Sequence, residues 1–190
     1  MKLLKNRGFA ALVSVVVIIA ATLFGVYNSA SRVSQDIEAM FFDGVFLDDQ
    51  GFTQPGIYSH LVNISNATLG LVPIMEGYPG LSGIADELMS ARRQLLAAGS
   101  IAQKESAARA LRDSAANLRD ASETAELTER DREAMAQHLS TINGAFIAIG
   151  NSRYNGAAEE RLSAQSPILR QISSFLSASR PYFFHVPPLS

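Results

Sequence analysis

The stretch FAALVSVVVIIAATLFGVY, residues 9–27, decides the fold of this chain. It contains no charged residue, and the nearest charges on either side are Arg7 and Arg32. As an α-helix, its roughly 19 residues would measure about 28 Å, close to the thickness of the hydrocarbon core of a bilayer. A helix also satisfies every backbone N–H and C=O group internally, as lipid requires. We therefore predict a transmembrane helix over residues 9–27, preceded by a basic segment over residues 1–8.

The charges around this helix predict its orientation. Lys2, Lys5 and Arg7 precede it, whereas acidic residues dominate the segment that follows. Because basic residues near a span stay in the cytoplasm, the N-terminus is expected to be cytoplasmic and the rest of the chain extracytoplasmic. A cleaved signal peptide is the alternative, since it would share the basic start. Against it, the apolar run exceeds the usual signal-peptide length of about 7–15 residues, and residues 29–31 (SAS) make a poor cleavage site.

The remaining composition fits one water-soluble domain. About 160 residues follow the span, which is enough for a domain with its own core. The net charge of the 190-residue chain is −2, and three basic residues lie before the span, so the exported part is acidic. This balance argues against nucleic acid as a partner, because phosphate binding rewards clustered Lys and Arg. The chain has no cysteine, which excludes disulfides, a thiolate nucleophile and cysteine-based zinc sites.

Residues 28–180 are predicted to form one helical domain. Alanine is abundant, the alternation typical of strands is absent, and glycine and proline gather at a few breaks. The first helix is expected to continue past the span and to end near residues 48–51. Further helices are expected to begin near Ile57 and Ile101. Pro73 and residues 77–80 (GYPG) are expected to interrupt the first of these with a break or a sharp kink.

The clearest helical signal follows residue 128. Thr128 fits a helix N-cap with an acid, Asp131, at the third helical position. Apolar residues then repeat at spacings of four and three, as in helices that pack into bundles. These residues are Met135, Leu139, Ile142, Phe146 and Ile149. A weaker stripe before Pro73 consists of Leu61, Ile64, Leu69 and Val72.

The predicted fold class is therefore all-α. The transmembrane helix is expected to lead into an elongated antiparallel bundle of about four long helices. Residues 181–190, which include Pro187 and Pro188, are expected to form an irregular tail.

Several short motifs occur in an order known from one family. They are Tyr27-Asn28, residues 60–63 (HLVN), residues 91–95 (ARRQL), Ile149 with Arg153-Tyr154-Asn155, Pro167, and residues 181–183 (PYF). In this order the chain resembles LemA-like proteins over most of its length. It departs from their pattern at residues 58–60, where members usually carry a basic stretch, and at residues 161–162, where members carry a second Tyr-Asn. The resemblance implies a membrane-anchored bacterial helical bundle in the inner membrane, without established catalytic activity and with membrane proteins as partners.

Five polar or charged residues are the candidate site. They are Tyr27, Asn28, Arg153, Tyr154 and Asn155. Tyr and Asn side chains need hydrogen-bond partners wherever they are buried. They would either line a polar pocket between helices or fix helix register through interhelical hydrogen bonds, and the second outcome is the commoner one for such residues.

Other candidate sites have simpler interpretations. The three histidines, His60, His138 and His185, lack the spacing of three or four that zinc sites on helices use, so no metal site is predicted. The aspartates at positions 43, 48 and 49 are expected to be solvated rather than to bind calcium, and Arg92 and Arg93 to form surface ion pairs. No cofactor and no catalytic residue is predicted.

Aromatic residues concentrate at two places. They are Phe41, Phe42, Phe46 and Phe52 in the first loop region, and residues 182–184 (YFF) near the tail. They would either cap the core, the commoner place for phenylalanine, or form an exposed docking patch.

Three functions are compatible with these features. The leading hypothesis is a non-enzymatic, membrane-anchored protein that acts through protein–protein contacts as a scaffold, an adaptor or an assembly factor. Its partners would be the bilayer, through residues 9–27, and a membrane protein. The alternative is a sensor or binding module that holds a small ligand between helices. An enzyme is the third class. The sequence also leaves open whether the protein is a homo-oligomer, because an apolar seam can either close a bundle within one chain or join two chains.

Overall fold

The computed structural model describes residues 7–164 and 183–189. Most of these residues are helical, which confirms the predicted all-α class. The elements are α1 (Arg7–Asp43), β1 (Val45–Leu47), β2 (Phe52–Gln54), α2 (Ile57–Glu76), a short 3₁₀ helix (Pro79–Leu81), α3 (Ser82–Ala97), α4 (Ile101–Thr124), α5 (Glu129–Gly150) and α6 (Tyr154–Ser163). The predicted features at Pro167 and at residues 181 and 182 lie outside the described residues.

Helix α1 contains the predicted span. Its large apolar side chains from Phe9 to Phe24 are between 40 % and 69 % exposed. The most apolar 18-residue window of Ala11–Asp43 has a mean hydropathy of 2.2, and the helix is long and apolar enough to cross a membrane. The chain therefore carries an N-terminal helix of spanning length, and the residues that the structure describes leave most of its apolar surface uncovered.

The described residues divide into two compact units. Residues 7–38 and 158–164 belong to the first unit, and residues 39–157 and 183–189 belong to the second. The second unit holds α2 to α5 and the hydrophobic core that they share.

A small β-hairpin follows α1, where the sequence predicted a continued helix and a loop. Helix α1 ends at Asp43, because Gly44 has a φ of +104°, a conformation that side chains with a Cβ disfavour. A Cβ at Gly44 would lie 2.0 Å from the backbone oxygen of Gln54. Strands β1 and β2 pair antiparallel, with Val45 opposite Gln54. Strands of three residues are too short to show alternation in the sequence.

Helix α2 continues through Pro73, so a break at that residue is wrong, whereas the interruption predicted at residues 77–80 is confirmed. The helix ends at Glu76, and the next residue, Gly77, caps it with a backbone N–H that bonds back to the carbonyl of Ile74. Its buried face steps by three and four along the whole helix: Ile57, Leu61, Ile64, Thr68, Leu71 and Met75.

Helices α2 and α5 run in opposite directions. The side-chain oxygen of Gln54, just before α2, accepts a 2.9 Å hydrogen bond from the N–H of Arg153, just after α5. At the other end, the hydroxyl of Tyr78, just after α2, accepts a 3.0 Å hydrogen bond from the N–H of Thr128, just before α5. The predicted α5 seam is buried at every position, and Thr128 caps α5 as expected.

Helices α3 and α4 form the second main helical contact. They are joined by the short connection 98–100, in which Ser100 caps α4 by accepting the N–H of Gln103. Helix α2 contacts α3 as well as α5 and so links the two pairs. Arg92 contributes to this link, because its Nε donates a 3.0 Å hydrogen bond to the carbonyl of Ser65 rather than forming a surface ion pair.

Candidate functional site

The five predicted site residues lie in different environments. Tyr27, 58 % exposed, and Asn28, also exposed, lie on α1 in the first unit. In the second unit Arg153 is exposed, Tyr154 is buried and Asn155 is half-buried. Asn155 contacts residues 183–189, which we call the tail. The N–H of Arg153 bonds to Gln54, and the ring of Tyr154 packs against Phe41.

Asn155 holds the tail through both atoms of its carboxamide. Its Nδ2 donates a 2.9 Å hydrogen bond to the carbonyl of Phe184, and its Oδ1 accepts a 2.9 Å hydrogen bond from the N–H of Phe184. Neighbouring β-strands exchange N–H···O bonds of the same kind. The side chain of Asn155 therefore binds the tail as the backbone of an adjacent strand would.

Two further side chains bind the tail backbone. Oε1 of Glu105, on α4, accepts a 3.3 Å hydrogen bond from the N–H of His185. Oδ1 of Asn143, on α5, accepts a 2.9 Å hydrogen bond from the N–H of Leu189. Side chains from α4, α5 and α6 thus satisfy backbone groups of a segment that has no helix or strand of its own.

The tail buries alternate side chains. Phe184 is 1 % exposed and Val186 is 3 % exposed, whereas Phe183 and His185 point to solvent. Alternation of this kind is typical of an extended backbone. The ring of Phe184 lies 5.6 Å from that of Phe41, which in turn makes an edge-on contact with Tyr154 at 5.6 Å.

Some of the aromatic residues therefore belong to the core, and others are exposed on the surface. Phe41 and Phe184 belong to the core. Phe46 and Phe52, on the hairpin, are 59 % and 49 % exposed. Phe42 is also exposed, and its ring makes an edge-on contact with Phe41 at 5.3 Å and a tilted contact with Tyr58 at 5.0 Å.

Charged residues complete the surroundings of the tail. Glu105 is buried and forms an ion pair with Arg109, one turn later on α4. Beside it, burial lowers the pKa of Lys104. The ammonium of Lys104 donates to the carbonyl of Ala98 at 2.9 Å and lies 5.2 Å from the ring centre of Tyr58.

A separate cleft of about 500 Å³ opens between α2 and α5. Its lining combines imidazole, amide and hydroxyl groups with small residues: His60, Asn63, Asn66, Ala67, His138, Thr141, Gly144, Ala145 and Ala148. Burial lowers the pKa of His60. A Cβ at Gly70 would lie 2.2 Å from Cε1 of His138, so Gly70 leaves the room that this imidazole occupies. The cleft offers hydrogen-bond donors and acceptors to a small polar molecule.

Metal-binding groups do not assemble around these histidines. Within the ranges 7–164 and 183–189, no three His, Asp or Glu residues are grouped so that they could hold an ion. Asp48 and Asp49 lie exposed at the turn of the hairpin.

Sequence reasoning found one member of the tail site and missed the others. Asn155 was singled out, but Glu105 and Asn143 lie on other helices, and only the fold brings them to one surface. One feature of the sequence indicates the conformation of the tail. Phe184 and Val186 are apolar residues two apart in a segment with no helical pattern, which favours an extended segment with one buried face.

Comparisons with family models, curated proteins and solved structures found no match in any of the three. The resemblance to LemA-like proteins therefore stays a prediction, and the functional argument depends on the geometry.

Proposed function

We propose that this protein is a non-enzymatic, single-pass membrane protein that acts through protein–protein contacts as a scaffold, an adaptor or an assembly factor. In this proposal, α1 anchors the chain in the inner membrane with the N-terminus in the cytoplasm. The long helices form an extracytoplasmic antiparallel bundle of the kind that the LemA resemblance implies. The observation that carries the proposal is the pairing of an uncovered apolar helix with a helical domain that holds an extended polypeptide segment.

The exposure of α1 supports the anchor. Its apolar side chains are at least 40 % exposed from Phe9 to Phe24, and such a surface is unfavourable in water and favourable in lipid. Lys2, Lys5 and Arg7 support the cytoplasmic assignment of the N-terminus.

The surroundings of the tail support a role in protein contacts. Asn155, Asn143 and Glu105 bind backbone groups of an extended segment. Binding of this kind recurs where proteins recognise peptides in extended conformation. Phe46 and Phe52 add exposed aromatic surface on the neighbouring hairpin, of the type that is enriched at interfaces.

Topology is tested with single cysteines, because the chain has none of its own. A membrane-impermeant maleimide added to intact cells should label Ser140→Cys, on an exposed position of α5. Asn6→Cys should be labelled only after the cells are lysed. Labelling in the reverse pattern contradicts the proposed orientation, and recovery of the protein in the soluble fraction contradicts the anchor.

Partner contact is tested by crosslinking in living cells. A photoreactive amino acid at Phe46 should give a discrete adduct with a membrane protein, whereas the same probe at Arg93, an exposed position on α3, is the control. The absence of any adduct at Phe46, with the protein correctly inserted, contradicts the proposal.

A second candidate function is the binding of a small polar ligand in the cleft between α2 and α5. The observation that favours it is the grouping of two imidazoles with amide and hydroxyl groups around about 500 Å³. Gly144 lines this cleft, and a Cβ there would meet nothing within 4 Å. Gly144→Gln should therefore fill the cleft, and Gly150→Gln, on the same helix, is the matched control. Native mass spectrometry should find a bound small molecule in the wild type and the control but not in Gly144→Gln.

A further inference from the structure

We propose that the surface occupied by the tail is a binding groove for an extended peptide of a partner protein. The peptide carries an aromatic residue, an aliphatic residue two positions later, and prolines after it. The chain's own tail occupies the groove in the free protein and competes with the partner. This inference rests on the proposed function, because it names the chemistry through which a protein partner is recognised. We call the site the tail groove, formed by Phe41, Glu105, Asn143, Tyr154 and Asn155.

The polar contacts of the tail groove select a backbone conformation and not a sequence. Asn155 binds both the N–H and the C=O of residue 184, and the other two contacts bind the N–H groups of residues 185 and 189. Every residue type except proline offers these groups at the same places in an extended chain. A peptide from another protein can therefore make the same set of hydrogen bonds.

The apolar contacts supply the sequence preference. Phe184 is almost completely buried, with its ring 5.6 Å from that of Phe41, and Val186 is 3 % exposed. The side chains of Phe183 and His185 face away from the groove. The spacing of two between the buried side chains follows from the alternation of an extended backbone.

The two prolines fit the same pattern. Pro187 and Pro188 lie between the residues whose N–H groups are bound, His185 and Leu189, and both are exposed. A proline has no N–H, so neither residue leaves a donor unsatisfied. Prolines also restrict the unbound peptide to extended conformations, which lowers the entropy lost on binding.

The tail can leave without dismantling the helices. Among residues 183–189, Phe184 and Val186 are the buried side chains, and side chains of Asn155, Glu105 and Asn143 hold the backbone by hydrogen bonds. The buried residues of the α5 seam and of the buried face of α2 all belong to those two helices, and none comes from the tail. Occupation of the groove by the tail in the same molecule therefore reduces the apparent affinity for a partner without blocking the site permanently.

The test uses the full chain in detergent micelles and a fluorescent peptide with the sequence of residues 183–190, FFHVPPLS. The double variant Phe184→Ser/Val186→Ser should bind this peptide at least about a hundredfold more tightly than the wild type, because its own tail no longer competes. Adding Asn155→Ala to the double variant should reverse most of this gain. A control peptide with serine at the positions of Phe184 and Val186 should not bind. Equal binding of the two peptides, or no gain in the double variant with its helical circular dichroism intact, overturns the proposal.

A milder variant keeps the test valid if the double variant fails to fold. Leu189→Pro removes only the N–H that Asn143 accepts, and every residue of the groove stays unchanged. It should raise the affinity for the peptide by about threefold, whereas an affinity equal to that of the wild type overturns the proposal.

The occupant of the groove is tested with a pair of cysteines in the cysteine-free chain. Asn143→Cys/Leu189→Cys should form a disulfide within one molecule, because these residues are in contact. A disulfide-linked dimer as the main product would overturn the proposal and assign the groove to the tail of a second copy. If the peptide binds but no adduct forms at Phe46 in cells, the peptide-binding groove is supported and only the proposed function is contradicted.

Discussion

The hydroxyl of Tyr78 donates a 2.6 Å hydrogen bond to Oδ2 of Asp131 and accepts the N–H of Thr128 at 3.0 Å. Thr128 also caps α5, and its own hydroxyl donates to the same carboxylate oxygen at 2.8 Å. One phenol thus joins the segment after α2 to the first turn of α5. It fixes one end of the antiparallel pair that Gln54 and Arg153 fix at the other.

Replacing Tyr78 with phenylalanine removes this junction and keeps the ring. We expect Tyr78→Phe to lower the melting temperature by about 2–4 °C, because hydrogen bonds to Asp131 and to the backbone are lost together. Tyr58→Phe, at an exposed position on α2, is the control and should leave the melting temperature unchanged. Differential scanning calorimetry of the two variants and the wild type decides the matter.

The same junction makes stability depend on pH. The hydrogen bonds from Tyr78 and Thr128 lower the pKa of Asp131 below its usual value. The unfolded chain therefore binds this proton at a higher pH than the folded chain does, and the stabilisation present at neutral pH is lost as the pH falls below about 4. The difference in melting temperature between wild type and Asp131→Asn should be largest near pH 7 and should shrink by pH 3. A difference that stays constant over this range contradicts the assignment.

Two adjacent phenylalanines in the tail should respond very differently to truncation. Phe184 is 1 % exposed and Phe183 is 38 % exposed. We expect Phe184→Ala to reduce the free energy of unfolding by about 3 kcal/mol, as is typical of a buried aromatic ring. Phe183→Ala should reduce it by less than about 1 kcal/mol. Equal effects in urea denaturation would show that the tail does not pack as described.

Two glycines test the packing between α2 and α5. A Cβ at Gly144 meets nothing within 4 Å, so Gly144→Ala should stabilise the helix by about 0.5–1 kcal/mol. A Cβ at Gly70 would collide with the imidazole of His138. Gly70→Ala should therefore bring no gain in denaturation experiments, and it should shift the NMR signals of His138, which Gly144→Ala should leave in place.

His60 should titrate below the value for a free histidine, because burial lowers its pKa. The unfolded chain then takes up this proton first, so stability falls as the pH drops from about 6.5 towards the pKa of His60 in the folded protein. An NMR titration of the His60 ring protons checks the midpoint. A midpoint at or above about 6.5 would mean that water reaches the ring more freely than the structure indicates.

Long periodic patterns were the part of the fold that the sequence predicted well. The seam of α5 is continuous, and every predicted position is buried. In α2 the predicted stripe includes Leu69, which is exposed. The buried face instead includes Thr68, which an apolar pattern passes over because it is polar. Its hydroxyl donates to the carbonyl of Ile64 at 2.8 Å, which satisfies the polar group locally and lets the residue be buried.

The hairpin and the tail groove could not be predicted because both depend on contacts between distant residues. Gly44 is recognisable as a helix end only once Gln54 is placed against it. Likewise, Glu105, Asn143 and Asn155 become one site only after α4, α5 and α6 are packed around the tail. Composition and periodicity report what each helix buries, and they do not report which polar side chains face the same segment.

Pro187 and Pro188 have a further consequence for contacts between copies of the chain. An uncovered extended segment normally offers a row of N–H groups to which strands of other molecules can add, which is a route to fibrous aggregates. Two successive residues without an N–H interrupt that row. If the tail leaves its groove as proposed, it is therefore poorly suited to pair edge to edge with the tails of other chains.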